Sequence, residues 1–271
     1  MIGNDPPADA APMPPFLRYI VQAGAIAEAE VRKLRHDPID LFTRVVQPAL
    51  WLLVFGQVFA RVRGIPTGSV SYRDFLAPGI LAQSALFIAI FYGISAIWER
   101  DLGILYRYLV SPAARSAIVI GKSAAAGMRA FTQAAAVYVL ALLLGIHLSL
   151  TVPAVLGVLL MILLGSGVFA TLSLIVACVV KTRERFMGIG QILTMPLFFA
   201  SNAIYPLELM PPWLHAVARL NPLTYQVDAL RTLMLPGYQS TFGLSIDYLI
   251  QIAVYAALLT IATRLYPTIL Y

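Results

Sequence analysis

Long apolar runs alternate with short polar intervals along almost the whole chain. Six of the runs, about Ile39 to Ala60, Phe75 to Trp98, Ser116 to Gly145, Pro153 to Val180, Phe186 to Ile204 and Leu244 to Leu265, approach the roughly twenty residues a helix needs to cross a hydrocarbon core of about 30 Å. The pattern predicts an all-α membrane protein with six transmembrane helices, and an even number of crossings places both termini on one side. Ahead of these runs, residues 1–15 hold five prolines with Asp5 and Asp9 and no basic start leading into an apolar stretch. They read as a disordered cytoplasmic tail and not as a signal peptide. From Phe16 to His36, Ile20, Ala23, Ala27, Val31 and Leu34 recur at helical spacing opposite Arg18, Gln22, Arg32 and Arg35. This predicts an amphipathic interfacial helix over 16–37. Asp37-Pro38 then opens a transmembrane domain over 38–265, and 266–271 form a short cytoplasmic tail.

Two polar intervals carry patterns of their own. Between Trp98 and Lys122, Leu102, Leu105, Tyr106 and Leu109 fall at i, i+3, i+4 and i+7, with Arg100 and Arg107 on another face. The spacing predicts a short amphipathic helix outside the bilayer, ended by Ser111-Pro112 because proline disfavours helical geometry in the residue before it. So short a helix needs a partner to pack against. Between Asn202 and Arg231 the chain is too broken by proline to cross as one helix and reads as two. Pro212 opens the first, with Trp213, Val217 and Leu220 along one side. Asn221 caps the second, with Pro222 in its first turn, and Asp228 and Arg231 stand at i, i+3, spaced to pair.

Composition changes the picture in one direction. The chain is 60% hydrophobic and 12% charged, against about 25% charged in a soluble domain, so a polytopic membrane protein is expected. The net charge of +6 is dispersed between apolar spans, with no aromatic-interleaved basic surface, which argues against nucleic acid as a partner. With the termini cytoplasmic, the inner segments hold twelve Lys and Arg residues and the outer ones five, the orientation the positive-inside rule favours. Lys122 and Arg129 lie seven residues apart on one face of the third span, in its cytoplasmic half, and read as snorkelling cations. Gly165, Ser166, Gly167 and Ala170 in the fourth span offer a surface for close helix approach, within one subunit or against a second copy.

The chemistry that is missing narrows the function. The thirteen carboxylates fall in tails, loops or span ends, the nearest to an interior being Asp247, so no ion-coupling acid is placed near the midplane. His36, His147 and His215 are far apart, and no metal set is expected. Gly121-Lys122-Ser123 lacks the first glycine and the strand-loop-helix setting of a phosphate-binding loop. Gly165-Ser166-Gly167 reads as packing and not as a nucleophile elbow, and Cys178 as a small packing residue. What is left is a membrane path with no source of free energy of its own.

Glu99-Arg100-Asp101-Leu102-Gly103, then Leu105, Arg107, Leu109-Val110-Ser111-Pro112 and Gly121-Lys122, resembles the first cytoplasmic loop of ABC transporter type-2 permeases, of the daunorubicin, multidrug and nodulation-factor exporter kind. It differs at Tyr106, where that family usually carries glutamate, and at Tyr108, which replaces an aliphatic residue. Tyr205-Pro206-Leu207, Pro212-Trp213-Leu214 and Asn221-Pro222-Leu223-Thr224-Tyr225 with Asp228 and Arg231 are similar to the external hairpin of the same permeases. The resemblance implies a cell-membrane permease subunit, not itself an enzyme, working with a second permease subunit, identical or paralogous, and with two copies of an ABC ATPase that bind the ATP and magnesium. It implies an ATPase-coupling segment of Glu99, Arg100, Leu102, Gly103, Leu105, Tyr106, Arg107 and Leu109. It also implies an external lid of Pro206, Trp213, Asn221, Pro222, Tyr225, Asp228 and Arg231. Phe87, Phe91, Phe198, Phe199 and Asn202 are candidates for the substrate path. The expected cargo is a hydrophobic or amphipathic drug or natural product. A lipid-linked glycan or lipooligosaccharide is the alternative, and a carrier or intramembrane enzyme needing no ATPase is the alternative of another class.

Overall fold

The computed structural model describes residues 19, 21–25, 28, 45–59, 70–106, 114–180 and 182–266. The expected tail over 1–15, most of the interfacial helix, residues 267–271, and the stretch 107–113 with Arg107 and Leu109 lie outside them. Among the described residues the chain is helical, with no strand. Helix α1, Val45–Phe59, contains a π-helical turn at Trp51–Phe55. It is followed by α2 (Tyr72–Asp101), α3 (Arg115–Leu143), α4 (Val152–Val179) and α5 (Arg183–Phe199). A 3-10 turn at Leu207–Leu209 leads into α6 (Pro212–Leu220), α7 (Pro222–Met234) and α8 (Leu244–Leu265).

Four of these, α2, α3, α4 and α8, are long and apolar enough to cross a membrane, and α1 is a shorter apolar helix. The fifth expected run stops short. The chain leaves the helix after Phe199, where the following carbonyls turn inward to side chains of α7 instead of continuing the helical ladder. Helices α2 and α4 form the centre, flanked by α3 and α8, with α7 inserted among α2, α4 and α8. The apolar window of α2 is 72% buried and that of α8 only 11%, so α2 is the axis and α8 an outer wall.

Missing side chains make the close crossings possible. A Cβ on Gly79 would overlap the carbonyl of Ala203, and the stripe of small residues in α4 seats Gln226 of α7 against Gly165 and Tyr255 of α8 against Gly167. That stripe therefore serves packing within the chain. Gly79→Ala is expected to cost about 1–3 kcal/mol, because the obstacle is backbone and cannot swing aside. Gly188→Ala, with nothing within 4 Å, should be neutral or slightly stabilising. Thermal unfolding in detergent compares the two.

Candidate functional site

At the end of the bundle where α2 finishes, the helix closes on Gly103, whose φ of +68° is a left-handed conformation that favours glycine. Leu102 donates its N–H to the Trp98 carbonyl and Gly103 donates to that of Arg100, each at 3.0 Å, and 104–106 make one further turn. Helix α2 therefore closes at Gly103, Leu102 is cut off from the residues that follow it, and the helical stretch that 104–106 begin leads into residues outside the described ones. The break divides the apolar stripe. Leu105 is buried with Ile97, Ile118, Val119 and Phe186, whereas Leu102 and Tyr106 are 66% and 60% exposed.

Glu99 also faces inward. Its carboxylate accepts from Lys122 Nζ at 2.5 Å, and the two side chains are 4% and 0% exposed. The snorkelling reading of Lys122 is corrected by this pair: the cation is held inside by a carboxylate 23 residues earlier in the chain. Arg100 stays at the surface, where Asp101 accepts from Arg100 and from Arg183 of α5, both at 2.9 Å. The Arg183 guanidinium also lies 3.6 Å over the Trp98 ring. The start of α5 is therefore clamped to the end of α2. Of the residues expected to couple to an ATPase, Leu102 and Tyr106 are presented outward, Arg100 is half-buried against Asp101, Glu99 and Leu105 lie within, and Gly103 makes the turn.

At the opposite end α6 and α7 form the hairpin, and α7 is a buried element rather than a cover laid on top. Asn221 accepts from the Leu223 N–H at 3.0 Å, the cap expected, and its amide donates to the carbonyls of Leu197 (2.6 Å) and Ala200 (2.8 Å) at the end of α5. Arg231, 1% exposed, does not pair with Asp228. Its guanidinium donates to the carbonyls of Phe75 (3.1 Å), Asn202 (2.5 Å) and Ala203 (3.1 Å) and lies 3.4 Å over the Phe75 ring. Asp228 instead accepts from Ser240 Oγ (2.8 Å) and from the N–H groups of Thr241 (2.8 Å) and Phe242 (3.1 Å). The i, i+3 spacing was compatible with a pair, but three converging carbonyls and two converging amides outcompete it.

The same Ser240 hydroxyl lies 3.1 Å from Asp247, which is fully buried in the first turn of α8. The sequence places that acid at a span end; the structure buries it beside a second one. Tyr225 donates to the Arg219 carbonyl at 2.7 Å, and the Pro222 carbonyl accepts from Gln251 of α8 at 2.6 Å. Pro206 is buried at the entry to the 3-10 turn. Trp213, with Val217 and Leu220 on α6, is exposed.

The expected path residues fall into two levels along α5. Phe87 and Phe91 stack at 6.1 Å, and Phe91 lies against Gly190 of α5. Eight residues further along α5, Phe198 is buried in edge contact with Trp51 of α1 and touches Phe199, which is 45% exposed. Asn202 is buried and used through its carbonyl by Arg231. Sequence reasoning missed Lys122–Glu99, Arg183–Trp98 and Ser240, all of which depend on which helices become neighbours.

The ABC-2 type transporter family model matches residues 21–235. The ycf38 protein of Cyanophora paradoxa, provisionally described as a transport permease, is 31% identical over 74% of this chain and 70% of its own. The daunorubicin resistance ABC transporter permease protein DrrB1 of Streptomyces coeruleorubidus is 28% identical over 74% and 70%. Nodulation protein J of Rhizobium leguminosarum bv. trifolii is 30% identical over 72% and 74%. The match takes in both the turn that ends α2 and the α6–α7 hairpin, and the chain is a multi-pass membrane protein that belongs to the ABC-2 type transporter family.

Proposed function

We propose that the chain is the permease subunit of an ATP-driven exporter for a hydrophobic or amphipathic small molecule. It crosses the cell membrane six times, α1 and α5 being the short crossings, with both termini cytoplasmic. Nucleotide is bound and hydrolysed by separate ABC ATPase subunits, two of them serving two permease subunits, this chain and an identical or paralogous second one. The relative named for daunorubicin resistance supports a cargo of this class.

The observation that carries the reading is the course of α2. Its 30 residues make a rod about 45 Å long. One end carries the exposed pair Leu102 and Tyr106. The other carries Phe75, held by Arg231, and Tyr72, whose hydroxyl donates to the Ile204 carbonyl at 3.1 Å. A displacement applied at the first end reaches the hairpin as a rigid-body shift, which biases the populations of inward- and outward-open states.

Leu102→Ser combined with Tyr106→Ser is expected to abolish co-purification of the ATPase and ATP-dependent transport, with the unfolding temperature unchanged because both side chains face outward. Leu105→Ser should lower that temperature, because Leu105 is buried. Full association and transport in the double variant would overturn the coupling assignment and leave an ATPase-independent carrier as the better reading.

A further inference from the structure

Two carboxylates lie buried at the hairpin end of the bundle and touch one hydroxyl. Asp228 of α7 and Asp247 of α8 are both fully buried, and Ser240 Oγ, in the loop that joins the two helices, is 2.8 Å from Asp228 Oδ2 and 3.1 Å from Asp247 Oδ2. A serine hydroxyl has one proton to give and two lone pairs to receive with. The Gly243 N–H, 2.6 Å away, donates to one lone pair. The single proton goes to one of the acids, and the other acid must bring a proton of its own to the remaining lone pair. The donors decide which. Asp228 Oδ2 also accepts from the N–H groups of Thr241 and Phe242, and Arg231 stands within electrostatic reach, so Asp228 is the anion. Among the described residues Ser240 is the one hydrogen-bond partner of Asp247, whose Oδ1 has none.

An ionised Asp247 would be a buried charge short of donors beside a like charge. The positive end of α8 favours an anion in its first turn, but by less than such a charge costs. The neighbours do not offset it. The groups within electrostatic reach of Asp247 are Asp228 and Tyr225 of α7 and Tyr248, the next residue of α8. Helix α4, which packs on both α7 and α8, carries no Asp, Glu, Lys, Arg or His. The half of α3 toward this end, 130–143, has only Tyr138 as a titratable group, and His147 beyond it is exposed. With a proton on Asp247 the contacts agree: Asp247 donates to Ser240, Ser240 donates to Asp228, and the hydroxyl is used in full.

We infer that Asp247 binds a proton in the folded chain and that this proton fastens the hairpin to α8. Its loss leaves one hydroxyl between two anions and pushes the start of α8 away from α7, whose Tyr225 ring also lies 4.8 Å from Phe242 of the same loop. Ser240 is half-buried and Gln239 and Thr241 are exposed, so the proton exchanges with the solution at the hairpin end. As a control on transport the fastening rests on the exporter reading and makes export sensitive to the pH outside. The proton itself does not rest on it.

The test is infrared spectroscopy of the full chain in nanodiscs at neutral pH. Wild type should show a protonated-carboxyl C=O band that is absent from Asp247→Asn and still present in Asp228→Asn. Ser240→Ala, which keeps both acids, should shift that band, and it reads the site even where Asp247→Asn is poorly folded. Unfolding gives a second reading. In the unfolded chain Asp247 is ionised above the usual carboxylate range, so the folded state binds the extra proton and loses stability as pH rises. Between about pH 5 and pH 8 the unfolding temperature of wild type should fall several degrees further than that of Asp247→Asn. A wild type without the band, a band that survives in Asp247→Asn, or an equal fall in both overturns the proton. So does loss of the band when calcium is added at constant pH, which gives the site to a metal cation. In proteoliposomes with the ATPase, transport by wild type should change several-fold with external pH and transport by Asp247→Asn should not; an equal response in both overturns the fastening. The band without ATP-driven transport at any pH leaves the proton standing and removes the exporter reading.

Discussion

Arg231→Leu is expected to abolish transport while ATPase association persists, and to destabilise the chain by about 3 kcal/mol or more. The variant leaves the carbonyls of Phe75, Asn202 and Ala203 buried without their donor, and a buried group that loses its partner costs about 1–3 kcal/mol. It also removes the cation from the Phe75 ring, 3.4 Å away. These contacts join the start of α2, the turn after α5 and the last turn of α7, so their loss frees the hairpin from the rod while leaving Leu102 and Tyr106 in place. Arg231→Lys should recover only part of the stability, since a compact ammonium cannot reproduce a planar fork that spans three acceptors. Unfolding temperature, ATPase co-purification and transport in proteoliposomes check the prediction together. Loss of ATPase association with transport-competent folding would instead place Arg231 in the coupling path at the other end.

Lys122→Met is expected to be as severe, for a different reason. It takes the ammonium away from the Glu99 carboxylate in a site where the two side chains are 4% and 0% exposed, and removing one member of a buried ion pair costs about 3–5 kcal/mol. Replacing both, Glu99→Leu with Lys122→Met, should return most of the stability, because an apolar pair avoids the desolvation of two charges. The double variant also separates packing from coupling. Glu99 lies three residues before Leu102, and the turn at Gly103 hangs from the same helix end. If the pair fixes the orientation of that turn, the double variant regains its unfolding temperature and still shows impaired ATP-driven transport. Recovery of both would make the pair purely structural.

Much of the fold was legible because apolar length and proline placement are local signals. The last span was expected over Leu244 to Leu265, and α8 occupies those residues. Asn221 and Pro222 announced the start of α7, and the Asn221 side chain makes the cap. What the sequence could not show is depth. Nothing local distinguishes an α7 laid over the bundle from one inserted among α2, α4 and α8, because its apolar residues serve either arrangement. Its polar residues are what decide: Asp228 and Arg231 are spaced for each other but find amides and carbonyls that only the tertiary arrangement delivers. The break after α2 was hidden in a similar way. Leu102, Leu105 and Tyr106 share a stripe only if the helix is continuous, and the left-handed Gly103 interrupts it.

The most direct test follows the hairpin itself. In a Cys178→Ser background, Trp213→Cys supplies an exposed label on α6, and the spin-label distance between two copies in the reconstituted permease–ATPase complex reports hairpin position. Trapping the ATPase in its ATP-bound state should shift that distance in the otherwise unaltered chain, and the shift should vanish with Leu102→Ser and Tyr106→Ser. A hairpin that moves equally with those substitutions, or in the absence of any ATPase, would contradict a gate driven from outside through α2.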